Sequence, residues 1–163
     1  MYVGTTVDTA EFAVDAIMWW WQTEGQRRYP HASELLILAD GGGSNGYRSR
    51  LWKYALQHHF VNHTGLPVTV CHYPTGASKW NWVEHRLFSP ISTNWAGEPL
   101  DSYKTMLHFL KATTTKPGLL VRATLTKKIY KTKIKISNTQ METVNLTKHA
   151  TLPQWNYTIK PTA

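Results

Sequence analysis

The sequence predicts an α/β fold, and three observations carry that expectation. Glu34 to Ala39 is a continuous apolar run ending at Asp40, the pattern of a strand buried on both faces. A glycine-rich turn and an amphipathic stretch follow it, and Val68 to Cys71 then reads as a second short strand. Strand, helix and strand in that order make a right-handed parallel crossover. At 163 residues and 18.7 kDa the chain suits one domain or part of one, and 42% hydrophobic residues with eight Trp and eight Tyr exclude intrinsic disorder.

In order along the chain, Tyr2 to Val7 alternates bulky and small residues and reads as a strand. Asp8-Thr9 supplies an N-cap, with Glu11 in the first turn, for a helix to about Glu24. Trp19, Trp20 and Trp21 are consecutive and cannot share one helix face, so at least one meets something other than the helix's own core. After Asp40, the run Gly41 to Gly46 turns the chain into a helix over Tyr47 to about Asn62 through Leu51, Trp52, Ala55, Leu56 and Phe60. The loop Tyr73 to Ser78 leads to a helix from about Lys79 or Trp80 to Asn94, and another is expected from about Ser102 to Thr113. Leu119 to Ile136 alternates apolar and basic residues and argues a basic β-hairpin. The chain is therefore expected to comprise a core at 1–115 and a basic extension at 116–163.

Charge is unevenly placed. Residues 1–101 hold 7 Lys/Arg against 9 Asp/Glu, whereas residues 102–163 hold 11 against Glu142 alone, within a net charge of +8. A basic half of this kind suits a polyanion such as nucleic acid. The longest apolar stretch, Ala13 to Trp21, is broken by Asp15 and is far shorter than the roughly 20 residues that cross a bilayer. No membrane partner or secretory leader is expected. A lone Cys71 cannot form an internal disulfide, which fits a reducing cytoplasm.

Asp40 sits at the carboxyl end of its strand, where open α/β sheets place their ligands, although an Asp there also commonly caps the turn. Gly41-x-Gly43-x-x-Gly46 matches a dinucleotide fingerprint, but the next strand ends in Cys71-His72-Tyr73 with no acid to hold a ribose, and no Gly-Lys-Ser/Thr follows. Glu84, near the start of the helix after the second strand, is placed to approach Asp40 across the sheet's top edge. Two facing carboxylates repel unless a divalent cation lies between them, and oxygen ligation favours Mg²⁺ or Mn²⁺. A helix-dipole role is the simpler reading of Glu84 alone. His72 and His85 flank the Asp40/Glu84 pair, whereas His58, His59 and His63 read as a solvated helix face.

Leu38-Ala39-Asp40-Gly41-Gly42-Gly43-Ser44-Asn45-Gly46, then Cys71-His72-Tyr73-Pro74 with Ser78-Lys79-Trp80-Asn81, then Glu84-His85-Arg86-Leu87-Phe88-Ser89 together resemble the insertion-sequence transposases of the Azo-thirteen group. The similarity runs from Asp8-Thr9-Ala10-Glu11-Phe12-Ala13 to Asn145-Leu146-Thr147 and Trp155-Asn156-Tyr157-Thr158-Ile159. The resemblance implies a DDE catalytic domain of the ribonuclease H-like fold, with Asp40 as second acid and Glu84 as third. Asn81 lies beside Glu84 as in an Asn-x-x-Glu signature, and Asn45, His72 and His85 support the acids. The family's first acid lies on an earlier strand, so the chain is expected to lack the first two strands and to begin at the third. The third strand is an edge roughly 10 Å from the first, which makes Asp8 a helix cap rather than a substitute acid.

For the intact enzyme the resemblance implies two Mg²⁺ or Mn²⁺ ions acting in phosphodiester hydrolysis and strand transfer. Lys79 and Arg86 would contact phosphates near the scissile bond, Trp80 and Trp82 would stack on unpaired bases, and Lys127, Lys128, Lys131, Lys133 and Lys135 would grip the DNA backbone. With two acids of three, this chain is expected to be inactive alone and to self-associate through unpaired strand edges. Its expected setting is cytoplasmic, at the prokaryotic nucleoid. The competing readings are a nucleotide-binding α/β module using Gly41 to Gly46, and a non-catalytic DNA-binding remnant.

Overall fold

The computed structural model describes residues 1–74 and 76–162, and among them every side chain except those of Ser78 and Glu84. In chain order the elements are β1 (Tyr2–Gly4), α1 (Ala10–Trp20), α2 (Gln26–Arg28), β2 (Leu35–Asp40), α3 (Arg50–Ala55), α4 (Asn62–Thr64), β3 (Val68–Tyr73), α5 (Ser89–Asn94), α6 (Tyr103–Ala112), β4 (Thr124–Thr126), α7 (Asn138–Glu142), β5 (Leu146–Lys148) and β6 (Asn156–Ile159). Wide π turns at Trp21–Gly25 and Leu56–Val61 carry α1 into α2 and α3 into α4, and another at Glu84–Phe88 leads into α5. The chain divides into a larger unit of residues 7–75 and 130–163 and a smaller one of residues 1–6 and 76–129.

The larger unit holds a mixed sheet in the order β2-β3-β6-β5. β2 and β3 are parallel, with Leu35 opposite Val68 and Asp40 opposite Tyr73, as the strand-helix-strand pattern requires. β6 is antiparallel to both its neighbours. Leu35, Ile37, Val68, Val70, Tyr157 and Ile159 share one sheet face and pack with Val14, Trp21, Trp52, Leu56 and Phe60 from the helical layer. Each fully buried large side chain in this layer contributes about 1.5–3 kcal/mol by leaving water.

β2 departs from expectation. It is an edge strand, and its second face is open, with Leu36 59% and Leu38 56% exposed. The helices cover only the face carrying Leu35, Ile37 and Ala39, so a sequence run that reads as doubly buried is buried on one side.

Helix starts follow their caps. The Thr9 hydroxyl accepts from the Phe12 amide at 3.2 Å, Ser49 accepts from Trp52 at 3.2 Å, and Ser102 accepts from Thr105 at 3.1 Å. Thr9, not Asp8, is therefore the cap of α1. The helix expected from Tyr47 begins at Arg50 because Gly46 and Ser49 are still in the turn, the Ser49 amide bonding the Gly46 carbonyl at 2.9 Å.

In the smaller unit β1 pairs in parallel with β4, Tyr2 opposite Thr124, in a two-stranded sheet of its own. Ile91, Leu110 and Ala123 form its core, with Val3, Leu87, Trp95 and Met106 packed around them. Asn94 ties α5 to the end of α6, donating to the Phe109 carbonyl at 2.8 Å and to the Thr113 hydroxyl at 3.1 Å.

The basic hairpin expected over Leu119 to Ile136 is not formed. Only Thr124–Thr126 is a strand, and its partner is β1. Antiparallel pairing would have set lysines opposite lysines, which is unfavourable. Lys133 also takes φ 59°, incompatible with a strand. Instead the buried Tyr130 donates its hydroxyl to Asp15 at 2.6 Å and sits edge-on to Phe12, and the Ile136 carbonyl accepts from Arg50 at 3.1 Å. The antiparallel hairpin of the C-terminal region is β5–β6.

Candidate active site

Asp40 is the last residue of β2, on the same face as Leu36 and Leu38, and its side chain is exposed. The backbone beneath it is fixed from β3. The His72 Nδ1–H donates to the Asp40 carbonyl at 2.9 Å, so Nδ1 carries the proton and Nε2 is an acceptor. Nε2 then accepts from the Tyr157 hydroxyl at 3.3 Å, and the hydroxyl itself accepts from Trp52 Nε1–H at 2.9 Å. All three side chains are buried. Burial holds His72 below the ordinary imidazole range, the bond to Asp40 opposes this, and the Lys53 charge adds to it. Burial also pushes the Tyr157 phenol far above its ordinary value, so the chain of bonds is neutral at pH 7.

The turn after Asp40 is held tight. A Cβ on Gly46 would lie 3.0 to 3.1 Å from the backbone of Gly41 and Gly42, and Gly43 takes φ 74°, so both positions suit glycine. The Gly46 amide already bonds the Gly43 carbonyl at 3.2 Å, which removes one donor that a nucleotide phosphate would need. Ser44 donates to the Asp8 carboxylate, 3.0 Å from each oxygen, so Asp8 stands beside this turn rather than over a helix end. Asn45 is half-buried in the same turn.

Glu84 belongs to the smaller unit and its side chain lies outside the described residues, so the expected pairing with Asp40 does too. Nearby, the Asn81 side-chain oxygen accepts from the Val83 amide at 3.2 Å and serves as a local turn cap. His85 is exposed. Lys79 Nζ lies 5.1 Å from the Trp80 ring centre and the Arg86 guanidinium 4.7 Å from that of Trp82. These indoles are 64% and 67% exposed, presenting two aromatic faces, each with its own cation. Lys127 and Lys128 in the smaller unit, and Lys131, Lys133 and Lys135 in the larger, are exposed.

A hard divalent cation wants several oxygen ligands. Asp40 offers a carboxylate of the right chemistry, but among the described residues no group of three His, Cys, Asp or Glu side chains could hold a metal ion. The described residues therefore do not by themselves make a metal centre. Among them, no helix is long and apolar enough to cross a membrane.

What sequence reasoning missed is the support under Asp40. The alternation Trp155-Asn156-Tyr157-Thr158-Ile159 is a strand signal, and it would have placed Tyr157 on the buried face beside His72. Its pairing with Trp52 joins residues 105 positions apart and leaves no local trace.

The architecture and the exposed strand-end acid define a class, a mixed α/β domain with a candidate site at the carboxyl end of a parallel strand pair. The family model described as Rhodopirellula transposase DDE domain matches residues 1–161, and the chain belongs to that family. It is thus a DDE-type insertion-sequence transposase domain, and the family's work is DNA transposition. No curated protein and no solved structure matches the chain.

Proposed function

We propose that this chain is part of a DDE catalytic domain of ribonuclease H-like type, spanning residues 1–163, and contributes Asp40 and Glu84 as the second and third acids. The observation that carries this is the exposed Asp40 carboxylate at the end of β2, its main chain pinned by the buried His72–Tyr157–Trp52 chain. Such pinning spends buried hydrogen bonds on the placement of an acid whose carboxylate makes no hydrogen bond or ion pair among the described residues, which suits a site better than a structural turn. Mg²⁺ or Mn²⁺ is the cation that oxygen donors of this kind select, and Asn45, Asn81, His72 and His85 support the acids.

DNA is the substrate. Lys79 and Arg86 meet phosphates near the acids, Trp80 offers a stacking face, and Lys127, Lys128, Lys131, Lys133 and Lys135 hold the backbone further away. The chain alone is inactive, because two carboxylates bind a divalent cation weakly and in poor geometry. Its bare β2 edge favours self-association, and its setting is cytoplasmic, at the nucleoid.

The test is incubation of supercoiled DNA with the chain in Mn²⁺, together with binding measured across salt concentrations. Salt-dependent binding without nicking by this chain alone is expected. Nicking that vanishes in Asp40→Ala would show the chain to be active by itself, and absence of DNA binding at low salt would remove the DNA reading.

A further inference from the structure

Two of the three consecutive tryptophans, Trp20 and Trp21, border a concavity that the candidate active site does not include. Neighbouring residues on a helix point about 100° apart, so Trp21 enters the core while Trp20 is left half-buried beside it, the two rings 6.0 Å apart, and a π turn follows over Trp21–Gly25. Gly25 is required there, because a Cβ would lie 2.4 Å from the Trp21 ring. The turn places Glu24 in a buried position from which one oxygen accepts from Arg27 at 3.2 Å and from Arg28 Nε at 3.1 Å.

These side chains border an open concavity of about 620 Å³, walled by Trp20, Trp21, Tyr29 and Pro30, with Arg28, His31 and Glu34 at its polar side. Tyr29 is 57% exposed, and its backbone is fixed by an amide bond to the Gly25 carbonyl at 2.8 Å. Glu34 accepts from the Thr69 hydroxyl and keeps its negative charge, so Arg28 is the cation that this concavity offers to a ligand.

We propose that this concavity is a binding site for one unstacked nucleotide of single-stranded DNA. The base would lie against the Tyr29 and Trp20 rings, and Arg28, oriented through Nε by buried Glu24, would meet the adjacent phosphate with its terminal nitrogens. The volume suits a group of nucleotide size. A base within a duplex has both faces covered by its neighbours, so only an unpaired one can offer a face to these rings. The proposal rests on the DNA reading above but uses none of the residues assigned there.

The test is fluorescence anisotropy with labelled oligothymidylate and, separately, a duplex of equal length. Tyr29→Ala is expected to weaken oligothymidylate binding about tenfold, as for loss of one base–aromatic stack, with duplex binding unchanged and Tyr29→Phe close to the parent. Arg28→Ala is expected to reduce the salt slope on oligothymidylate by about 0.7. Calorimetric melting of each variant separates lost contact from lost fold. Equal losses on both DNAs, or none, would overturn the site while leaving the DNA reading in place. Failure of the parent to bind either DNA would overturn both, and preference for a proline-rich peptide over oligothymidylate would assign the concavity to a protein partner instead.

Discussion

Tyr157→Phe isolates the polar chain beneath Asp40. The substitution keeps the ring and its packing but deletes the hydroxyl that joins Trp52 Nε1, 2.9 Å away, to His72 Nε2, 3.3 Å away. Tyr157 and Trp52 are each 1% exposed and His72 is 5% exposed, so water does not replace the lost partner. A buried donor or acceptor left unsatisfied costs about 1–3 kcal/mol. The indole donor falls within that range and the longer histidine contact at its lower end, and removing the buried hydroxyl returns part of the cost. The net expectation is about 2–3 kcal/mol of lost stability. For a chain of this size that is a fall of about 4–12 °C in Tm. Denaturant unfolding with an unchanged m-value is the primary assay, and the nitrogen chemical shifts of His72 report whether Nε2 remains an unprotonated acceptor. A loss below about 0.5 kcal/mol, the range of an ordinary surface substitution, would refute the claim that the hydroxyl links these groups.

Three further outcomes are expected. Because the folded His72 pKa is depressed, its contribution to stability is complete above the unfolded value of about 6.5 and is lost as pH falls through the folded value. The denaturation midpoint should therefore drop from about pH 7.5 to about pH 5.5, and His72→Gln should flatten that drop without abolishing it, since burial also lowers His58. Gly25→Ala should cost about 1–3 kcal/mol by driving a methyl group into the Trp21 ring, measured by calorimetry. Tyr130→Phe removes the bond to Asp15 and should cost about 1.5–3 kcal/mol, whereas Ile129→Ala next to it, 80% exposed, should be nearly neutral.

The sequence carried local features best. The parallel pair β2 and β3, the cap of α1 at Asp8-Thr9 and the glycine turn each depend on a few neighbouring residues, and each was legible, whereas the Ser49 cap was not, since α3 was expected to start at Tyr47. The basic tail was misread because alternation records which residues face inward but not which partner they meet. Tyr130 and Ile136 face inward onto the helical layer, and the lysines between them face out, with no second strand involved. Leu36 and Leu38 misled for the opposite reason, since an apolar run cannot say whether its second face is covered. At the candidate site, Asp40 was singled out from its place at the end of a strand, but the histidine that holds its backbone is itself bonded from β6, more than eighty residues later.

The position of β6 has a consequence for synthesis. It lies between β3 and β5, so one of the sheet's two inner strands is made only after the other three strands of that sheet. Until Asn156–Ile159 leaves the ribosome, β3 stands as a second open edge and Trp52 lacks its hydroxyl partner, so the sheet cannot assemble cotranslationally in sequence order. A nascent or C-terminally clipped chain would then expose β3 as well as β2, presenting two sticky margins to chaperones and proteases where the finished sheet has only β2 and β5 at its borders.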